Sequence, residues 1–533
     1  MQAAAPEGLP GPAVIVALPP CKPSEPAVSA GAAAQLLRRF GCDAVSIDAS
    51  VEWHRFALSP GNLSRIVRER GAGAPGWMRT ALRSGEAGRH ALQRRETYQD
   101  RHVYTSAVNA FENALRTAAA PYPGVRLATA MIALASGRLE SSAVLQKFAQ
   151  EPGPFDDYFR EELMARLVDA GWVGFSVSFL QQMPAALRLA RLLRAEGPSP
   201  PLVLGGPLVA AWKAAGIALD QPLLSVFDYC IAGDDGELRA VGASDGDGRP
   251  IGPRGPALDE PPWEAYLSPV PVVPAALGRG CSYRRCTFCP DQMHAAYDPC
   301  TRGAMDDWLR AVAGRFPRGA MLHLTDSALS PSHLEHLATT IAREGLPLRW
   351  HGFVRVQPAF ADPQFAALLA SGGCAMLQFG VESASGAVLA RLGKGEPEQA
   401  RLALRACSGA GIRTQVYLLF GVPGETDDDR EATLRFVQEE AASIHAINAA
   451  LLNLPKGSAM HRSPERFGIT KIVPFHTETD LSLYDDFRCG ASHPRLEARR
   501  WVEARLLKSE AYKAIQGRLR VPFKANHLCF IAR

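Results

Sequence analysis

Three cysteines within nine residues constrain this chain more than any other feature it carries. The run LGRGCSYRRCTFCP, residues 277–290, holds Cys281, Cys286 and Cys289 at Cys-x4-Cys-x2-Cys spacing. Thiols this close can face one point, and soft sulfur donors select zinc, copper(I) or iron–sulfur clusters. A structural zinc site is usually closed by four protein ligands. A set of three therefore leaves three readings open: a zinc loop, unrelated thiols, or a four-iron cluster with one iron free for a ligand. The apolar run 272–277 reads as a strand that turns into the cysteine loop at Gly278 and Gly280. The thiols then sit at the carboxyl end of a strand, where parallel α/β folds place their chemistry.

Downstream, apolar runs at about 272–278, 319–325, 348–356, 375–381, 412–420 and 446–453 alternate with helical stretches. The pattern predicts a parallel (β/α) arrangement of six repeats. Polar residues stand at the strand ends: Thr325 and Asp326 after the second, Arg355 on the third, Gln378 and Glu382 on the fourth. A carboxylate ending a buried strand is costly unless hydrogen-bonded. The fifth strand runs into Gly421-Val-Pro-Gly-Glu-Thr426, where Thr426 also suits the N-cap of the next helix.

With the cysteine loop, the Gly-x-Glu-Ser element at 380–383 and the Gly-x-Pro-Gly-Glu-Thr turn, residues 272–455 resemble the radical S-adenosylmethionine (SAM) superfamily. The first cysteine gap is one residue longer than the usual family spacing. The resemblance implies a partial (β/α)6 barrel and a [4Fe–4S] cluster on Cys281, Cys286 and Cys289. It implies SAM contacts from Phe288, Thr325, Asp326, Arg355, Gln378 and Glu382. It also implies an electron donor such as flavodoxin or ferredoxin.

The amino-terminal part repeats strand and helix. Strands are expected at 13–18, 43–47, 173–179, 202–204 and 226–231, helices at 30–40, 155–170 and 184–195, with a mostly helical insertion at about 61–150. Its strands end in small or polar residues, which suits a ligand crevice. Val-Gly-Phe-Ser-Val-Ser178, Leu-Gly-Gly-Pro207 and the Gly233-Asp-Asp-Gly-Glu237 loop together resemble the cobalamin-binding domain of one large radical SAM class. That resemblance implies a Rossmann-like domain over 12–244. Its cobalamin contacts would come from Ser176, Ser178, Gln181, Gly205, Gly206, Pro207, Gly233, Asp234, Gly236 and Glu237. The Asp-x-His-x-x-Gly motif that supplies a lower cobalt ligand in many cobalamin domains is absent; His54 lies near the second unit without that spacing. A Pro/Gly-rich linker spans 245–271, and the tail, 456–533, is expected to be mostly helical.

Composition narrows the partners. Lys plus Arg is 58 and Asp plus Glu is 54, a net charge of +4, which gives no electrostatic case for nucleic acid or membrane. No run of about 18 apolar residues exists to span a bilayer. The 11 cysteines, with no secretory signal, fit a reducing cytoplasm. The function expected from the resemblance is reductive cleavage of SAM to a 5′-deoxyadenosyl radical, with methylation of an unactivated carbon on a small-molecule or peptide substrate. A non-methylating radical cyclase or rearrangement enzyme stays open, as does a metal-cluster binding protein without turnover.

Overall fold

The computed structural model describes residues 8–9, 11–232, 237–238, 252–290, 296–519 and 526–531. Strand β1 (Ala13–Ala17) is buried at every position, as expected of an unbroken apolar run with sheet on both sides. Its neighbour β2 (Ala44–Asp48) ends in Asp48, whose carboxylate accepts the Ser50 and Val51 N–H groups and starts helix Ala49–Ala57. The insertion is not purely helical. Helices Pro60–Arg70, Gly76–Ala91 and Arg101–Ala118 are followed by an antiparallel hairpin, β3 (Val125–Ala128) and β4 (Met131–Leu134). Helix Arg101–Ala118 buries Tyr104, Val108, Phe111 and Leu115, one stripe at helical spacing.

The helix expected over 155–170 is broken into a helical turn Asp156–Tyr158, a π turn Phe159–Leu163 and a 3₁₀ turn Met164–Arg166. Asp156 anchors its start through a buried ion pair with Arg188. The wider π turn keeps Leu163 on the core side with Phe159. Strands β5 (Trp172–Ser176), β6 (Leu202–Gly205) and β7 (Tyr229–Cys230) complete a parallel sheet of order β2-β1-β5-β6-β7.

The second sheet begins at β8 (Val272–Ala275). A short antiparallel pair, β9 (Gly278–Arg279) and β10 (Asp298–Pro299), brackets the cysteine loop. The sheet continues through β11 (Ala320–Leu324), β12 (Leu348–Arg355), β13 (Cys374–Glu382), β14 (Arg413–Phe420) and β15 (Ala446–Leu451), joined by helices. Its six strands are parallel and lie side by side in chain order. Leu322, Leu324, Trp350, Val354, Leu377, Phe379, Val416 and Leu418 share one core with the helices. Strand alternation turns His323, His351, Gln378, Gln415 and Tyr417 to the opposite face.

The tail departs from the helical expectation. β16 (Leu454–Pro455), β17 (Lys471–Val473) and β18 (Tyr484–Arg488) form an antiparallel sheet of order β16-β18-β17, before helices Pro494–Trp501 and Glu510–Leu519. The buried Asp485 and Asp486 of β18 meet His461 and His493 at 3.1 and 2.8 Å, partners that no local pattern announces.

Long-range polar contacts tie the two sheets and the tail together. Glu25 meets His323 Nδ1 at 2.9 Å and pairs with Lys22. Burial alone would push the Glu25 carboxyl up; His323 and Lys22 outweigh it and hold the group well below the usual range. Trp212 donates to the Leu481 carbonyl at 3.1 Å, and Arg413 to those of Leu528 and Cys529 at 2.9 Å. Among the described residues no helix is long and apolar enough to cross a membrane.

Candidate functional site

In the first sheet the strand order reverses between β1 and β5, which opens a crevice at the carboxyl ends of the strands. A cavity of about 690 Å³ lies there. Ser29, Ser176, Gly205, Gly206 and Pro207 line it from the first sheet. Arg279, Gly280, Pro290, Thr325 and Ser327 line it from the second, and Lys456 and Tyr484 from the tail. Both sheets thus direct strand ends into one space.

The first-sheet wall is closely fitted. Ser29 Oγ lies 2.9 Å from both Ser176 Oγ and Ser178 Oγ. Gly206 has φ 104°, and a Cβ there would stand 2.7 Å from the Val177 carbonyl oxygen, so only glycine fits the turn. Gln181 is turned toward the hairpin, where it accepts the Ile132 N–H at 2.8 Å. Glu237 pairs with Lys213 at 2.6 Å. Gly233, Asp234 and Gly236 lie outside the described residues.

The cysteine loop is moored on the end of helix Gly386–Leu392. Thr287 N–H donates to the Leu392 carbonyl at 3.1 Å, Thr287 Oγ1 to that of Arg391 at 2.6 Å, and Tyr283 OH to that of Gly393 at 2.7 Å. The long first gap contains Arg284, whose left-handed backbone (φ 49°) tightens the turn. Cys281, Cys286 and Cys289 are not joined in disulfides, and all are partly exposed. Burial pushes the Cys286 thiol up; the Lys394 ammonium opposes it, while Glu382 and Cys281 add to it. Phe288 packs against the cluster of Val388, Leu392, Leu419 and Val422.

The strand ends converge around that loop. Asp326 accepts the Leu277 N–H at 2.9 Å, and burial raises its carboxyl to about 6 against the pull of backbone N–H groups. The Arg355 guanidinium lies 3.8 Å over the Tyr283 ring, so its partner is an aromatic face of the cysteine loop. Gln378 donates to Gln415 Oε1 at 3.2 Å and to Tyr417 OH at 3.3 Å. Glu382 sits at a register shift in β13 with φ 66°, an uncommon backbone for a residue with a side chain. Its carboxylate meets Lys394 Nζ at 3.0 Å.

Residues 276–437 match the family model of the radical SAM superfamily. The chain carries a radical SAM domain. It is 27% identical over 191 residues to an uncharacterized methyltransferase, PH0819, of Pyrococcus horikoshii, covering 34% of this chain and 40% of that protein. It is 30% identical over 194 residues to a tryptophan 2-C-methyltransferase of Streptomyces laurentii, covering 33% of this chain and 32% of that protein. The chain thus spans less than half the length of either relative. The solved structure of the cobalamin-dependent SAM radical enzyme OxsB, with aqua-cobalamin bound, superposes with a TM-score of 0.54 over 93% of this chain and 67% of that one, at 13% identity. That likeness is one of fold, an α/β chain with parallel-sheet domains.

The donor chemistry of the radical SAM domain suits a cluster. Three thiols outside any disulfide share one braced loop, Cys286 lies within electrostatic reach of Cys281, and Lys394 within reach of Cys286 and Cys289. Among the described residues no three His, Cys, Asp or Glu side chains close on one metal-sized point; the match lies in ligand type and placement. Sequence reasoning passed over Ser29 and Tyr283; it met Lys394 only as part of the Lys394-Gly395 pair that follows the Gly-x-Glu-Ser element. Ser29 lies in the first turn of helix Val28–Arg39, well past the end of β1, so the strand-end argument does not reach it. Tyr283 and Lys394 acquire partners only through the fold.

Proposed function

We propose that this chain is a cobalamin-dependent radical SAM enzyme that methylates an unactivated carbon of a natural-product or peptide substrate. In this reading residues 12–244 form the Rossmann-like cobalamin domain, 245–271 the linker, 272–455 a partial (β/α)6 barrel and 456–533 a tail over the cleft. The observation that carries it is the shared cavity, lined at once by Ser176, Gly205 and Gly206 and by Gly280, Thr325 and Ser327 beside the cysteine loop. Two large cofactors that must react on one substrate need such a common space. The name of the Streptomyces relative, a 2-C-methyltransferase, favours a carbon acceptor.

Cys281, Cys286 and Cys289 would hold a [4Fe–4S] cluster, with Phe288, Thr325, Asp326, Arg355, Gln378 and Glu382 around SAM. When bound, the cofactors supply the hard chemistry: an electron from the cluster to SAM, a 5′-deoxyadenosyl radical for hydrogen abstraction, and a methyl group from cobalamin. The chain's own residues bind, orient and exclude water. Asp326 fixes the strand from which the loop leaves, and Arg355 braces Tyr283. Ser29, Ser176, Ser178, Gly205, Gly206 and Pro207 would seat cobalamin without a histidine ligand. His54 supports this: it is 3% exposed, bound to the Ser50 carbonyl and packed by Trp53 and Phe111.

The test is mass spectrometry of SAM-derived products from anaerobically purified, cluster-reconstituted protein with reductant and SAM, with and without cobalamin. Deoxyadenosine that vanishes in Cys286→Ala, with cobalamin-dependent S-adenosylhomocysteine beside it, is the expected result. Deoxyadenosine alone, with a full complement of cobalamin, points to the non-methylating enzyme. Neither product from protein with a full cluster overturns the assignment.

A further inference from the structure

Lys394 is placed where an ammonium group is expensive. Its side chain is 9% exposed, and that of its partner Glu382 is 10% exposed. Its Nζ meets the Glu382 carboxylate at 3.0 Å, so the buried cation is paired. The same ammonium lies 5.6 Å over the Phe288 ring, inside the cysteine loop. Gly380 leaves it room, since a Cβ there would come within 2.8 Å of Glu382 Oε1 and 3.4 Å of Lys394 Nζ. Gly393 fixes its approach: φ is 69°, and a Cβ would stand 2.4 Å from the Arg285 carbonyl oxygen. The turn that carries Lys394 is the platform on which the loop rests.

A buried pair is seldom kept for stability alone, because desolvation consumes most of its attraction. Net charge close to an iron–sulfur cluster is a recognised lever on its reduction potential. We infer that Lys394 is a positioning residue whose buried ammonium sets the reduction potential of the thiolate-bound cluster, with the carboxylate of Glu382 opposing it. This rests on the radical SAM reading of the cysteines. Reduction adds one electron and makes the cluster more negative; a fixed cation beside it stabilises that form, and a fixed anion destabilises it.

The experiment is a potentiometric titration of the reconstituted holoprotein, without SAM, followed by electron paramagnetic resonance. Lys394→Met is expected to lower the potential, with about a tenfold loss of reduced cluster at fixed applied potential, ~59 mV for a one-electron couple. Lys394→Arg keeps the wild-type value. Glu382→Gln moves the potential the opposite way, upward. A merely structural pair would shift neither potential, or would move both variants in one direction with loss of iron; either result overturns the inference while the wild-type cluster upholds the radical SAM reading. If Lys394→Met sheds its iron, the direction of the Glu382→Gln shift decides. A wild-type protein that takes up no four-iron cluster overturns both.

Discussion

Asp326 Oδ2 accepts the backbone N–H of Leu277 at 2.9 Å, so a carboxylate just past the end of β11 fixes the residue from which the cysteine loop departs. Burial is the main reason its carboxyl is raised from 3.8 to about 6. The folded state therefore holds this proton more tightly than the unfolded chain does. The associated stability is fully present below pH 3.8 and is lost as pH rises through about 6. Denaturant titrations at pH 4 to 7 should show this component in the wild type and not in Asp326→Asn. The amide retains an acceptor for Leu277, so iron binding should survive the substitution.

The two glycines of the first-sheet turn should respond unequally. A Cβ at Gly206 meets the backbone of Val177 at 2.7 Å and 2.8 Å, with φ 104°. At Gly205 it meets the Ile231 side chain at 3.1 Å, which can yield. Gly206→Ala is expected to cost about 2 kcal/mol and Gly205→Ala under about 1 kcal/mol, read as shifts in the denaturation midpoint. Retention of added cobalamin after gel filtration should fall in Gly206→Ala.

Gly393→Ala tests the platform beneath the cysteines. The added carbon would lie 2.4 Å from the Arg285 carbonyl oxygen, and backbone cannot give way as a side chain can. The left-handed backbone adds about 1–2 kcal/mol. The expected outcome is a folded protein that loses most of its reconstituted iron, measured by iron and sulfide analysis. An unchanged iron content would show that the loop does not depend on this seat.

Two buried histidines contribute to the acid limb of stability. Burial lowers His54 and His527 from 6.5 to about 4. His54 keeps one bond, to the Ser50 carbonyl, while His527 sits between the hydroxyls of Tyr98 and Tyr104. Each binds its proton more weakly when folded. The stability this represents is complete above pH 6.5 and is lost as pH falls through about 4, by at most ~3 kcal/mol per histidine. His54→Leu should flatten the pH dependence between 4 and 6.5 in chemical denaturation, and a slope equal to wild type would remove His54 from the account.

What the sequence by itself determined was whatever is written in local spacing. Three thiols at Cys-x4-Cys-x2-Cys, apolar runs alternating with helical stretches, and polar residues where those runs stop need only neighbours along the chain. The six strands of the second sheet accordingly fall where periodicity puts them, from Val272 to Leu451. Tertiary structure alone decided the rest. Lys394 becomes the counter-charge of the thiols because a helix end packs under their loop. Arg355 faces Tyr283 across two segments far apart in sequence. The tail forms strands because β18 pairs with β16 and β17 once the chain folds back, which also brings Asp485 and Asp486 to His461 and His493. Such pairings are fixed by packing, and a residue's own surroundings in sequence carry no record of them.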